Sequence, residues 1–390
     1  MQGLYGCRLE KGDENMARET MNVFERFEAA VNISEVDRPP VFPILVTAAA
    51  RLCDLTQAEA WKDHNKAREA IIKCYHDFGY DYASKPNFYY DQVPGKLTGA
   101  PVRNLIPGKQ LPEDAINQID ERILFDREDY DKIASVGWNA FWEEHYEKMS
   151  GRPFSRLVEV QQYGNKIFGD DLKICQEQGI PMAMGAAVDS VMMAFSLCRT
   201  LIEFTKDLRQ VPDKVEKAMN KACDDLIMNA LEMIKRRSGN MAYIILERGS
   251  GALYPLPTFE RFEWPFLKRY VETFVAEGIT PWMHLDTDWS KNLPYFKQLP
   301  KGKCVADLDS TTNIFRAKEI LGGHMCISGD VPASLFSLGK PEDVADYCKK
   351  LIREVGKGGG FMLTSGCECP IDVKRENLMA FVETGRNYQP

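Results

Sequence analysis

The sequence predicts an α/β fold, a parallel (β/α)8 or TIM barrel with an N-terminal helical extension, and three observations carry that expectation. Short apolar runs alternate with longer amphipathic ones along most of the chain. The apolar runs of the C-terminal third each end in polar residues, where a barrel places its site. A chain of 390 residues, 44% of them hydrophobic, can bury one large core without a second independent domain.

Within residues 12–32, Met21, Phe24, Phe27, Ala30 and Val31 recur at helical spacing, so a helix stands ahead of the barrel as a lid or a contact surface, available to a homodimer. Residues 1–36 form this extension and residues 37–390 the barrel. Strands are expected at 40–45, 80–84, 181–188 and 241–246, then at 279–285, 303–308, 324–329 and 360–364. Helices begin at Pro212, Pro265 and Pro341, because a proline in the first turn gives up an N–H that would be unpaired there anyway. After Pro341, the stripe Val344, Tyr347, Cys348, Leu351, Ile352 and Val355 is a core face. Residues 95–165 are irregular, with Trp138, Phe141, Trp142, His145 and Tyr146 close together, and read as an inserted loop or helical subdomain over the barrel mouth.

Composition narrows the function. No stretch reaches the roughly 18 apolar residues that cross a bilayer, and the N-terminus lacks the apolar core of a signal peptide, so a soluble, cytoplasmic protein with no membrane contact is expected. Eleven cysteines are scattered from Cys7 to Cys369 through predicted helices and strands, which fits reduced thiols. A formal net charge of -8 without a basic run argues against nucleic acid and for a small molecule or a protein partner.

The polar strand ends are Glu247, the pair His284 and Asp286, the pair Asp307 and Asp309, Asp330, and Cys367 with Cys369. Residues two apart on a strand share a face, so His284 and Asp286 point the same way, as do Asp307 and Asp309. A histidine that shares its face with a carboxylate, among further acids and thiols, is a candidate metal ligand. Zinc suits the set, since its catalytic sites take nitrogen, oxygen and sulfur donors and keep one position open. Cys367 lies nearer the last strand than Cys369, and Asp309 with Ser310 and Thr311 has the make-up of a helix cap as readily as of a site acid.

Several segments together resemble the uroporphyrinogen decarboxylase-like superfamily. Gly339 to Val344, Gly359 to Met362 and Glu376 to Val382 follow its closing helix, strand and helix; Gly329-Asp330-Val331-Pro332 resembles its G-N/D-x-P turn; Phe259 to Tyr270 resembles its helix entry; and Asp37 to Pro43 resembles its opening strand. The likeness spans most of residues 25–388 and is weakest near 95–165. Decarboxylases of this superfamily carry an arginine-rich segment after the first strand that grips a polycarboxylate, whereas this chain has Ile44 to Leu52 there, with Arg51 alone.

The resemblance therefore implies the other branch, corrinoid-dependent methyltransferases. Members acting on thiols hold zinc on an H-x-C pair and a later cysteine, of which His284 and Cys367 match while Asp286 replaces the middle thiol. Members that demethylate aromatic ethers carry an acid, then E-x20-H; Glu263 and His284 have that spacing, with Glu247 upstream. The expected activity is transfer of a methyl group from a methoxylated, aromatic small molecule to the Co(I) corrinoid of a partner protein, with zinc on His284, Glu263 and either Glu247 or Cys367. Asp286, Asp307 and Asp330 would orient ligands, and Trp282, Tyr254 or Phe259 would pack on the substrate ring. The chain has no D-x-H-x-x-G corrinoid motif, so the corrinoid belongs to a partner. A thiol acceptor on the same zinc, a metal-free decarboxylase and a non-catalytic binding protein are the alternatives.

Overall fold

A computed structural model describes residues 19–84, 98–182, 185–237 and 239–390. Seven strands form one parallel sheet: β1 (Val41–Ile44), β2 (Ala186–Asp189), β3 (Met241–Ile245), β4 (Thr280–Leu285), β5 (Val305–Leu308), β6 (Cys326–Val331) and β7 (Phe361–Glu368). Their order is β1-β7-β6-β5-β4-β3-β2, so every neighbour but the first pair is consecutive in the chain. The sheet curls until β1 and β2 face one gap, and the expected second strand at 80–84 occupies it. Among the described residues it makes no ladder there: Asp81 N–H donates to the Val41 carbonyl at 2.9 Å, and Ala83 N–H donates to that of Pro181 at 2.8 Å, with a bridge to Met182. The remaining closure bonds come from side chains, since Leu45 N–H donates to Ser84 Oγ and Val41 N–H to Asp81 Oδ2.

The Asp37-Arg38-Pro39-Pro40 motif explains this seam. Arg38 donates both terminal nitrogens to Asp81 at 2.7 Å, a bidentate fork that joins the start of β1 to the 80–84 segment. Arg26, also buried, forks onto Asp37 with bonds of 2.8 and 2.9 Å and so ties in the N-terminal helix.

That helix, Val23–Val31, starts later than the spacing suggested. Asn22 and Glu25 form a reciprocal capping box that fixes its first turn, while residues 12–18 lie outside the described residues. It is no lid over the mouth. Phe27 stacks on Trp282 at 6.0 Å and Tyr82 donates to the Val23 carbonyl, so the helix plugs the N-terminal end of the barrel. There it closes a layer of Phe42, Tyr82, Met241, Trp282, Val305, Cys326 and Met362, all near the beginnings of their strands.

Around the barrel, the helices starting at Pro212 and Pro341 begin where the prolines stand, and Pro265 falls in the first turn of Trp264–Ala276. The irregular 95–165 stretch contributes a short ribbon, Asn104–Leu105 with Gln118–Ile119, and helices Asp129–Val136 and Trp138–Ser150. Its aromatics do not hang over the mouth. Trp138 packs on Phe195 at 5.1 Å and Phe125 on Phe141 at 5.8 Å, a second aromatic core against the outer helices that follow β2. No helix of the described residues is long and apolar enough to cross a membrane.

Removing one partner of a buried ion pair strands the other charge. Asp81→Asn should therefore lower unfolding free energy by about 3 kcal/mol or more in urea denaturation. Glu319→Gln, which breaks an exposed pair with Arg316, should cost at most about 0.5 kcal/mol. Equal effects would remove the seam's special role.

Candidate metal centre

Above the apolar plug the barrel interior turns polar. β4 and β5 pair with His284 opposite Asp307, and Nδ1 of the histidine lies 2.7 Å from Asp307 Oδ2. Asp307 is fully buried; its other oxygen takes a longer bond of 3.4 Å from Thr364 on β7, whose hydroxyl is 3.0 Å from that of Ser328 on β6. Tyr243 of β3 stacks on the imidazole, centroids 5.1 Å apart. One face and one nitrogen of His284 are thus occupied.

The other nitrogen, Nε2, looks toward the mouth. It is 3.1 Å from Asp286 Oδ1, just past the end of β4, and 3.4 Å from Cys367 Sγ near the end of β7. The three donor atoms lie within 4.8 Å of one another, and this is the one such group of His, Cys, Asp or Glu among the described residues. Cys367 reaches the group across the barrel lumen, since β7 and β4 are separated by two strands. Gly366 permits that approach, because a Cβ there would come within 2.9 Å of the Asp309 backbone.

The charge balance of the group suits a cation. Asp286 Oδ1 is buried and, although 3.1 Å from His284 Nε2, accepts no well-aligned hydrogen bond among the described residues. Burial opposes charging of His284, yet Tyr243, Asp286, Asp307 and Cys367 around it outweigh that and hold its pKa well above the usual imidazole value. The surroundings thus call for a positive charge at this point. With Nδ1–H directed at Asp307, Nε2 offers its lone pair beside a carboxylate and a thiol, the donors zinc accepts, and the Asp307–His284 pair is the usual orienting arrangement behind a ligating histidine. Cys367 is exposed, which leaves a side of the group open.

The structure brings His284, Asp286 and Cys367 together with Asp307 behind them. It leaves the other expected residues outside. Glu263 sits where helix Leu256–Phe262 meets Trp264–Ala276, wholly buried, with Oε2 accepting from Ser190 at 3.1 Å and packed against Gly249. Its spacing from His284 holds along the chain, but a helix junction carries the side chain to the loops after β2 and β3 instead. Glu247, two residues past β3, is half-buried and also stands apart from the group. Asp330 accepts from Tyr347 on helix Pro341–Glu354 at 2.8 Å, and burial, against that bond, pushes it up to about 7.

Asp309 caps no helix: it takes N–H bonds from Thr287 and Thr311 and pins two mouth loops together, while Asn313 caps the helix that follows. Cys369 is buried, its thiol pushed up to about 12 by desolvation.

The rings expected to meet a substrate are committed elsewhere. Trp282 lies under the N-terminal helix, Phe259 is enclosed by Trp264, Trp289 and Tyr295, and the Tyr254 hydroxyl is 2.9 Å from that of Thr205. Tyr243, Ser328 and Thr364 were not singled out from the sequence. Alternation along the strands places each inside the barrel, but only strand register shows that they surround His284.

Glu263 generates a pH prediction of its own. Burial pushes its carboxyl from 4.5 up to about 8, with the Ser190 bond opposing, and Oε1 has no partner among the described residues. Between those values the folded protein keeps a proton that the unfolded chain has released. The stability this contributes is full below about 4.5, falls as pH rises, and is gone above about 8. Glu263→Gln should therefore shrink the loss of unfolding free energy between pH 5 and pH 9 by on the order of 3 kcal/mol. Parallel profiles for variant and wild type would show that Glu263 ionises normally.

Residues 175–388 match the family model described as Uroporphyrinogen decarboxylase (URO-D). That match takes in six of the seven sheet strands, all but β1, and the whole of the candidate group His284, Asp286 and Cys367. No curated protein matches the chain in sequence. Among solved structures, a methyltransferase from Methanosarcina mazei is similar over 93% of this chain and 98% of its own, with a TM-score of 0.69 at 15% identity, a likeness of fold. With more than half its length inside the family model and the barrel intact around it, the chain belongs to the uroporphyrinogen decarboxylase family.

Proposed function

We propose that this barrel is a zinc-dependent methyltransferase that passes a methyl group from a methoxylated aromatic small molecule to the Co(I) corrinoid of a partner protein. The observation that carries the reading is the convergence of His284 Nε2, Asp286 Oδ1 and Cys367 Sγ at the C-terminal mouth, with no arginine cluster to hold a polycarboxylate after β1. The methyltransferase likeness of the Methanosarcina mazei fold is consistent with it.

Zinc held by His284, Asp286 and Cys367 would supply Lewis acidity toward an ether oxygen, and the partner's corrinoid would supply the nucleophile. The chain's part is positional. Asp307 holds His284 in one tautomer and one orientation, and Asp286 in place of a thiol gives the ion a harder donor set, suited to oxygen. Tyr243 covers one face of the imidazole, and the exposed Cys367 leaves the group open on the side from which substrate and partner would arrive. A thiol acceptor is the second reading, favoured by the presence of Cys367 in the group while Glu263 and Glu247 stand apart.

Metal content of the purified protein should be about one zinc per chain and should fall below a tenth of that in His284→Ala. Asp307→Asn, which spares every ligand, should weaken zinc binding 10- to 100-fold in a competition titration. A protein that takes up no zinc when offered it would defeat both methyl-transfer readings. With metal bound, turnover of methoxyarenes by reduced corrinoid protein, without turnover of thiols with methylcobalamin, is the expected result, and the reverse pattern would establish the thiol reading.

A further inference from the structure

Cys53 and Cys74 stand outside the group of His284, Asp286 and Cys367, with their sulfurs 4.0 Å apart. Cys53 ends helix Thr47–Leu52 and is partly exposed; Cys74 lies on helix His64–Phe78 and is buried beneath it. A hydrogen bond from Cys74, with Lys73 nearby and burial opposing, lowers the Cys53 thiol to about 7, while the same contact and desolvation raise Cys74. One member of the pair is thus partly exposed, and the other is buried with its sulfur 4.0 Å away. That is the arrangement of an attacking and a resolving thiol. Each thiol also lies near a carbonyl of the facing helix, Cys53 Sγ 3.6 Å from that of Ala70 and Cys74 Sγ 3.9 Å from that of Ala49, so both sulfurs sit in the seam between the two helices.

We propose that Cys53 and Cys74 are a redox-active dithiol that closes to a disulfide under a hydroperoxide and reopens under a thiol. In the first step the Cys53 thiolate attacks one peroxide oxygen, the O–O bond breaks, and the leaving hydroxide takes a proton to become water, leaving Cys53 as sulfenic acid. In the second, Cys74 gives up its proton and its sulfur attacks the Cys53 sulfur, expelling a second water. Two thiols and one hydrogen peroxide thus give one disulfide and two waters.

The sulfurs must close from 4.0 Å to a bonded separation of about 2 Å. Cys53 can supply that movement, because it stands at a helix end, followed by Asp54 in the left-handed region at φ 58°. At the other end of the same six-residue helix, Thr47 donates its hydroxyl at 2.5 Å to Glu368, the residue after Cys367, so the dithiol and the metal-ligating strand share one short connector.

The test uses the full chain, reduced, freed of reductant, exposed to a small excess of hydrogen peroxide, alkylated with N-ethylmaleimide and mapped by peptide mass spectrometry. The expected result is one cross-linked pair containing Cys53 and Cys74, with the summed peptide mass less two hydrogens and with alkylation of both lost together. Dithiothreitol should restore both. In Cys74→Ser, Cys53 should persist as a sulfenic acid that dimedone traps, a product that a purely packing role would not give. Separate alkylation of both thiols after peroxide, or a cross-link from Cys53 to any other cysteine, would overturn the proposal.

Discussion

The Arg38–Asp81 fork is the interaction on which the rest of this barrel depends. Parallel ladders join β1 through β7 and on to β2, but a seam remains where, among the described residues, the 80–84 segment makes backbone bonds at two points. Asp81 works three ways at that seam: it neutralises a buried guanidinium, accepts the N–H that opens β1, and sends its own N–H to the Val41 carbonyl. Side-chain bonds here replace a ladder. If the seam opened, β1 would no longer hold the end of β7, where Cys369 N–H donates to the Ile44 carbonyl, and the loop that presents Cys367 would be free to move.

The closed barrel is divided along its axis by polarity. Its N-terminal end is plugged by the Val23–Val31 helix over a layer of aromatic and aliphatic side chains. One layer further up, the interior positions are Tyr243, His284, Asp307, Ser328 and Thr364. A core built for stability alone would fill this layer with branched apolar residues. Here the layer instead occupies one nitrogen of His284 and leaves the other facing Asp286 and Cys367 at the mouth, with His284, Asp307, Ser328 and Thr364 all buried, where a misdirected hydrogen bond costs most.

Much of this was legible in the sequence. Every strand of the parallel sheet was anticipated to within about five residues, whereas the short ribbon Asn104–Leu105 with Gln118–Ile119 was not anticipated, and the 80–84 segment, expected as a strand, is held largely by side chains among the described residues. The proline-started helices were legible because a proline there acts locally. The N-terminal helix was legible as a helix, though not as a plug, since periodicity reveals an apolar face and is silent about what covers it. Within the candidate site, His284, Asp286 and Cys367 were legible as polar strand ends after an apolar run, although Asp286 was expected to orient a ligand and now stands in the candidate group itself. Glu263 shows where that reasoning stops: a spacing measured along the chain survives only when the intervening backbone is regular, and a junction between two helices intervenes.

What the sequence by itself determined is the alternation of strand and helix, the polar strand ends, and the set of residue types able to hold a metal ion, because all of these rest on interactions within a few residues of chain. What only the tertiary structure decided is which of those residues share one point in space. His284 and Cys367 are 83 residues apart and meet across the lumen because the sheet closes on itself. Asp330, no less promising in the sequence, is claimed by Tyr347 of an outer helix. Closure and register are properties of the whole sheet, and no local pattern encodes them.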